Sequence, residues 1–183
     1  MKTDIKLSGV GGQGILSIAT VIGEAATAAG LRLKQAEVHG MSQRGGDVQS
    51  DLRLSTDAIH SDLILSMEPM EALRYLPYLS PSGAVVTASK PFVNIPDYPD
   101  ETALLEELDA LPKVMRMDID AVARGLQAPR SANMVLLGMA AHHLGILGPD
   151  ALRQAIRTVF GRKGAKVVED NLKAFDAGYE GIQ

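Results

Sequence analysis

Two glycine-rich stretches carry the residues best placed to do chemistry. The first is Gly9-Val10-Gly11-Gly12-Gln13-Gly14, and the second is His39-Gly40-Met41-Ser42-Gln43-Arg44-Gly45-Gly46. Each closes a short apolar segment, so each is expected to turn backbone N–H groups toward whatever lies at one edge of a sheet. The first matches G-x-G-x-x-G between a strand and a helix, with Glu37 at about the distance at which a dinucleotide fold places its ribose-binding acid. That pattern suits a phosphate, and the same glycines equally suit a bare tight turn. In the second stretch, Arg44 is able to fork onto a carboxylate or phosphate and His39 to donate to the same group. The alternative is a bend in which Arg44 meets solvent or a neighbouring subunit.

Other reactive side chains are isolated. His142 and His143 are adjacent, and neighbouring helical residues point about 100° apart, so they cannot face one metal together. His60 stands alone before a strand. Glu68 lies where open α/β sheets place ligand-contacting groups, and also where a helix dipole favours an acid. Asn133 reads as a helix cap or a ligand donor, while Gly138, Ala140 and Ala141 make a small-residue face suited to close packing. Arg162, Lys163 and Lys166 form the compact basic run, able to meet an acidic partner and by default a solvated turn. There is no H-E-x-x-H, nucleophile elbow or P-loop lysine.

The elements that must hold these residues follow from periodicity. Ile5–Ser8 alternates as a strand, residues 15–29 have helical period and stop at Gly30, and residues 31–38 alternate again, which predicts a right-handed crossover to a parallel neighbour. Residues 48–55 predict a half-exposed strand, antiparallel and at a sheet edge. Residues 62–67 and 84–88 predict buried strands, separated by a helix over 68–78 and a turn at 80–83. Pro91, Pro96 and Pro99 mark residues 90–100 as irregular. A helix over 101–111, a strand over 113–118 and a short helix over 121–125 capped by Asp118 or Asp120 come next. Helices over 134–144, 151–160 (capped by Asp150) and 167–177 end the chain. The expected architecture is α/β: a three-layer α/β/α sandwich with a Rossmann-like, mostly parallel sheet and a C-terminal helical tail, one domain over residues 1–183.

Composition narrows the function classes. The chain has no cysteine, which excludes disulfides, thiolate-held iron–sulfur clusters, cysteine zinc sites and a cysteine nucleophile within it. A net charge of -4, from 18 basic and 22 acidic residues, argues against a nucleic-acid surface. Aromatic residues are only 4%, with no Trp, so stacking platforms for bases are not expected either. The N-terminal residues lack the apolar core of a signal peptide, and no apolar run nears the ~20 residues of a membrane helix. A cytoplasmic protein, not membrane-bound, is expected.

Taken together, the two loops resemble those of the gamma subunit or domain of 2-oxoacid:ferredoxin oxidoreductases. The His-Gly-Met preceding Gln-Arg-Gly-Gly most resembles the small subunit of the indolepyruvate type, and the helix from Asn133 through Leu136-Leu137-Gly138 also fits. The resemblance implies an enzyme complex in which a 2-oxoacid is oxidatively decarboxylated with thiamine diphosphate and Mg, the acyl group passes to coenzyme A, and electrons leave through iron–sulfur clusters to ferredoxin. With no cysteine and no Gly-Asp-Gly thiamine-diphosphate motif, those groups belong to larger partner subunits, and no catalytic residue is assigned here. The expected ligand- or partner-facing residues are Gly9, Gly11, Gly12, Gln13, Gly14, His39, Gly40, Gln43, Arg44, Gly45 and Gly46. In isolation such a subunit can self-associate through the face meant for its partner. A small nicotinamide- or nucleotide-binding Rossmann protein acting alone is the competing expectation.

Overall fold

The computed structural model describes residues 3–31, 33–39, 47–54, 61–93 and 95–182, with backbone alone at 34, 37–39, 47 and 53. Strand β1 (Asp4–Val10) runs into the glycine turn and then α1 (Ile15–Ala28). Next come β2 (Lys34–His39), β3 (Asp47–Arg53) and β4 (Ser61–Ser66), followed by α2 (Pro69–Arg74), a 3-10 turn at Leu76–Tyr78 and β5 (Leu79–Ala88). Helix α3 (Glu101–Asp109), β6 (Val114–Met117) and α4 (Ile119–Gly125) complete the sheet-forming part. Helices α5 (Ala132–Ala140), α6 (Pro149–Phe160) and α7 (Ala165–Glu180) follow.

The six strands stand in the order β2-β3-β1-β4-β5-β6. Strands β1, β4, β5 and β6 are parallel neighbours, as expected of the α/β architecture. β3 is antiparallel to both β1 and β2, as its alternation suggested, but it lies between them and not at an edge. The expected β1–β2 pairing is therefore replaced by an inserted strand. One consequence is chemical: β3 sets Asp51 opposite the buried Lys6, whose Nζ donates to Asp51 at 2.8 Å with the Tyr75 and Tyr78 rings at 5.2 and 4.8 Å.

Apolar side chains cover both sheet faces, giving the three layers. On one, Leu7, Leu63 and Val86 meet α1, α4, α5, α6 and α7. On the other, Ile64 and Val85 meet Ala72 and Tyr75 from the α2 side and Leu104 and Leu108 of α3. The C-terminal helices are not a tail. All nine residues of α5 are buried, and α5 contacts both β5 and α7.

Local boundaries differ where packing or backbone geometry outweighs composition. The residues expected to turn at 80–83 belong to β5, as an irregularity between the Ser61–Leu79 and Leu63–Ala84 pairs. Asp118 caps α4, its carboxylate accepting from Ala121 N at 2.8 Å. Gly148 stands at the N-cap of α6 instead of Asp150, because Pro149 takes the first helical position. His142 and His143 sit in a 3-10 turn after α5, where His142 stacks on Tyr179 at 4.3 Å and His143 Nε2 meets Met115 Sδ at 3.2 Å. Burial, with His142 and Lys113 nearby, pushes the His143 imidazole below its ordinary pKa.

Candidate functional site

The glycine turn is built from its own backbone. Gln13 N donates to Val10 O at 3.1 Å, and Gly12 and Gly14 adopt φ of 102° and 83°, where a side chain is strained. Gln13 folds inward: its Oε1 accepts from Val10 N at 2.7 Å and its Nε2 donates to Met67 O at 3.3 Å, stitching the end of β1 to the end of β4. Gly9 has no space for a Cβ, which would lie 2.8 Å from Gln13 Oε1 and 2.9 Å from Ile15 Cδ1. Gly9 and Gln13 thus shape the turn, and Gly12 is exposed at its tip.

Helix α1 starts at Gly14 with no side-chain cap and no acid in its first turn. Its leading N–H groups and the positive end of its dipole face outward beside the turn. Asn133, from the first turn of α5, donates from Nδ2 to Gly14 O at 3.2 Å, while its Oδ1 is buried without a partner. Asn133 is therefore not the cap of its own helix. A second helix also begins here uncapped and without a first-turn acid, α7 at Gly164.

Between these helix starts lies a cleft of about 680 Å³ lined by Gly12, Gln13, Gly14 and Ser17, residues 127–131, Asn133, Phe160, Lys163, Lys166, Val167, Asp170 and Asn171. Its charges are mostly positive. Lys163 Nζ lies 5.2 Å from the Phe160 ring, Arg130 is exposed, and Lys166 pairs with Asp170 at 2.9 and 3.0 Å. Gln127, with φ 58°, bends the chain from α4 toward α5 to close one wall. Two helix N-termini and flexible ammonium groups suit a phosphorylated ligand, whereas the orphan Asn133 Oδ1 is an acceptor and asks for a donor.

Sequence reading left Lys163 and Lys166 as a solvated turn, and missed Ser17, Gln127 and Arg130. The basic run was visible, but its meeting with a glycine turn about 150 residues earlier arises only from folding. Of the second loop, Gly40, Gln43, Arg44, Gly45 and Gly46 lie outside the described residues. Register still places its start. His39 pairs with Val48, and Val48 with Gly9, so His39 ends on the same row as Gly9, about 10 Å away across β3. Glu37 is likewise two strands from β1, and the adjacent β1–β2 crevice in which a dinucleotide fold seats its ribose is not formed.

Glu68 has a structural role. It caps α2, accepting from Glu71 N at 2.9 Å, and its other oxygen accepts from Phe92 N at 3.3 Å and from the Tyr98 hydroxyl. Burial and the Glu68 carboxylate push the Tyr98 phenol well above its ordinary pKa. Among the described residues, no group of three His, Cys, Asp or Glu is set to hold a metal, and no helix is long and apolar enough to cross a membrane.

The chain is similar to subunits of known oxidoreductases. The chain is 35% identical to indolepyruvate oxidoreductase subunit IorB of Thermococcus kodakarensis over 191 residues, covering 96% of this chain and 93% of that one. Its fold matches the keto/oxoacid ferredoxin oxidoreductase gamma subunit of Geobacter sulfurreducens with a TM-score of 0.73, at 24% identity and 98% coverage of both chains. It also matches 2-oxoglutarate:ferredoxin oxidoreductase of Magnetococcus marinus, solved with 2-oxoglutarate, coenzyme A and succinyl-CoA bound, with a TM-score of 0.76 at 24% identity, covering 99% of this chain and 31% of that one. The family model for pyruvate ferredoxin/flavodoxin oxidoreductase matches residues 4–181, and the chain belongs to that family.

Proposed function

We propose that this chain, one gamma-type domain over residues 1–183, is the accessory subunit of a cytoplasmic 2-oxoacid:ferredoxin oxidoreductase of the indolepyruvate or arylpyruvate type. The similarity to an IorB subunit over nearly the whole length supports the type. The residues present do not fit thiamine diphosphate, its Mg or an iron–sulfur cluster: there is no cysteine and no Gly-Asp-Gly motif, and no metal-binding group occurs among the described residues. Those groups sit on larger partner subunits, which pass electrons to ferredoxin.

The contribution of this chain is to hold coenzyme A by its phosphates. The observation that carries this reading is the cleft in which the uncapped starts of α1 and α7 meet Lys163 and Lys166 beside the glycine turn. Backbone N–H groups bind phosphate oxygens without needing a cationic side chain, and the lysines add charge that salt screens. With the phosphates fixed here, the pantetheine arm is free to carry the thiol to an acyl group on the partner.

The test is reconstitution. The isolated chain should show no 2-oxoacid-dependent dye reduction, and addition of the larger subunit should make turnover dependent on coenzyme A. Replacing Lys163 and Lys166 together by Gln should raise KM for coenzyme A about tenfold or more with kcat little changed. Robust turnover by the isolated chain, or an unaltered KM in the double variant, contradicts the reading.

A further inference from the structure

Asn133 lines the cleft, is only 8% exposed, and holds an acceptor that no described residue satisfies. The Gly14 carbonyl takes the Nδ2 hydrogen bond at 3.2 Å and can only accept, so the free end of the amide is its oxygen. A buried polar atom left without a partner is costly, which points to a group that completes it from outside the chain. The terminal torsion of an Asn is soft, so a small turn aims Oδ1 at a donor in the cleft it lines. The cleft therefore asks two things of one ligand: anionic groups at the uncapped starts of α1 and α7, and an N–H or O–H donor beside Gly14.

Coenzyme A carries donors in three places: the pantetheine amides, the ribose hydroxyl and the exocyclic amine of adenine. The pantetheine arm has to leave the cleft to bring its thiol to the partner, which takes its amides away from Asn133. The ribose hydroxyl has an acceptor beside it in the neighbouring 3′-phosphate. The amine stands on a flat ring, and Ala128, Phe160 and Val167 give the cleft an apolar part to take that ring. Adenine presents a donor where guanine presents an oxygen acceptor, so Oδ1 accepts from the first and repels the second. Two helix starts likewise match two separate phosphate groups, the 3′-phosphate and the 5′-diphosphate.

We propose that the cleft seats the adenosine 3′,5′-bisphosphate end of coenzyme A, with Asn133 Oδ1 accepting from the adenine amine and the starts of α1 and α7 each taking one phosphate group; this rests on the coenzyme A reading above. Asn133 then makes the subunit selective for adenine, and the helix starts make it selective for the 3′-phosphate.

The experiment measures Kd by calorimetry and KM by turnover on the reconstituted complex. The ligands are coenzyme A, its hypoxanthine analogue, in which a carbonyl oxygen replaces the amine at nearly the same size, and 3′-dephosphocoenzyme A. On the unaltered complex each analogue should bind about tenfold more weakly than coenzyme A, or worse. Asn133→Ala should bring coenzyme A and the hypoxanthine analogue within about twofold of each other and leave the penalty for the missing 3′-phosphate in place. A hypoxanthine analogue that binds the unaltered complex as tightly as coenzyme A overturns the proposal, as does a preference for the amine that persists undiminished in Asn133→Ala. Equal binding of dephosphocoenzyme A also overturns it. The analogue comparisons use the unaltered complex, so they decide the matter even where Asn133→Ala folds poorly. Failure of the unaltered complex to bind coenzyme A at all overturns the coenzyme A reading itself, and is seen before any analogue is compared.

Discussion

Asn133 and Gly14, 119 residues apart in sequence, are joined by a 3.2 Å hydrogen bond from the Asn133 amide to the Gly14 carbonyl, and a Cβ on Gly14 would lie 2.6 Å from the same Asn133 nitrogen. The bond ties the start of α1 to the start of α5 and sets one wall of the cleft. Gly14→Ala meets both that contact and a left-handed φ, and should lower stability by about 2 kcal/mol or more, measured by urea denaturation. Asn133→Asp replaces the donor by a carboxylate beside the cleft. It should weaken coenzyme A binding by at least about tenfold in calorimetry, since it adds like charge where phosphate is to sit.

Gln13 sits at the turn as a strut, its amide bridging Val10 N and Met67 O. Gln13→Leu would leave the buried Val10 N–H without its 2.7 Å acceptor and should cost about 1–3 kcal/mol. Amide exchange read by mass spectrometry should show lost protection confined to the β1 end and the turn. Unchanged exchange there would contradict the strut role.

The closest backbone packing in the cleft wall's support is at the α5–α7 crossing. A Cβ on Gly138 would overlap the Phe175 carbonyl oxygen and lie 2.8 Å from Tyr179 N, and one on Gly178 would overlap the Val135 carbonyl oxygen and lie 2.8 Å from its carbon. Backbone cannot step aside as a side chain can. Gly138→Ala and Gly178→Ala should each destabilise by about 3 kcal/mol or more, with a lowered Tm. Gly125→Ala, where nothing lies within 4 Å, should be neutral or stabilising by up to about 1 kcal/mol.

The Glu68–Tyr98 contact has a pH signature. Tyr98 is held above its unfolded pKa of about 10, so its contribution is complete below that pH and is lost as pH rises toward the folded value. Tyr98→Phe should cost about 1 kcal/mol at neutral pH, and this difference from the parent should shrink above about pH 10. Parallel stability curves for the two proteins up to pH 11 would remove the hydrogen bond from the account.

Much of the site region was legible in the residues. Glycines at fixed spacing after an apolar strand define a tight turn, because φ above zero is open to them alone at no steric cost, and the helix after it follows from its 3.6-residue period. The same local rules found Asp118 as a cap and the irregular proline strap. They went wrong where the competing partner was distant: β3 was read as an edge strand, and α5 to α7 as a tail.

Sequence by itself determined the elements, the glycine turn, the absence of cysteine and, through two loops, the family, since each depends on residue type and short spacing. The tertiary structure alone decided that β3 separates β2 from β1, that Asn133 and the Lys163–Lys166 run meet the turn, and that Glu68 clasps the strap. Those pairings join residues from about 25 to 150 positions apart. No local periodicity encodes them, because side-chain packing over the whole sheet selects which strand and which helix start come together.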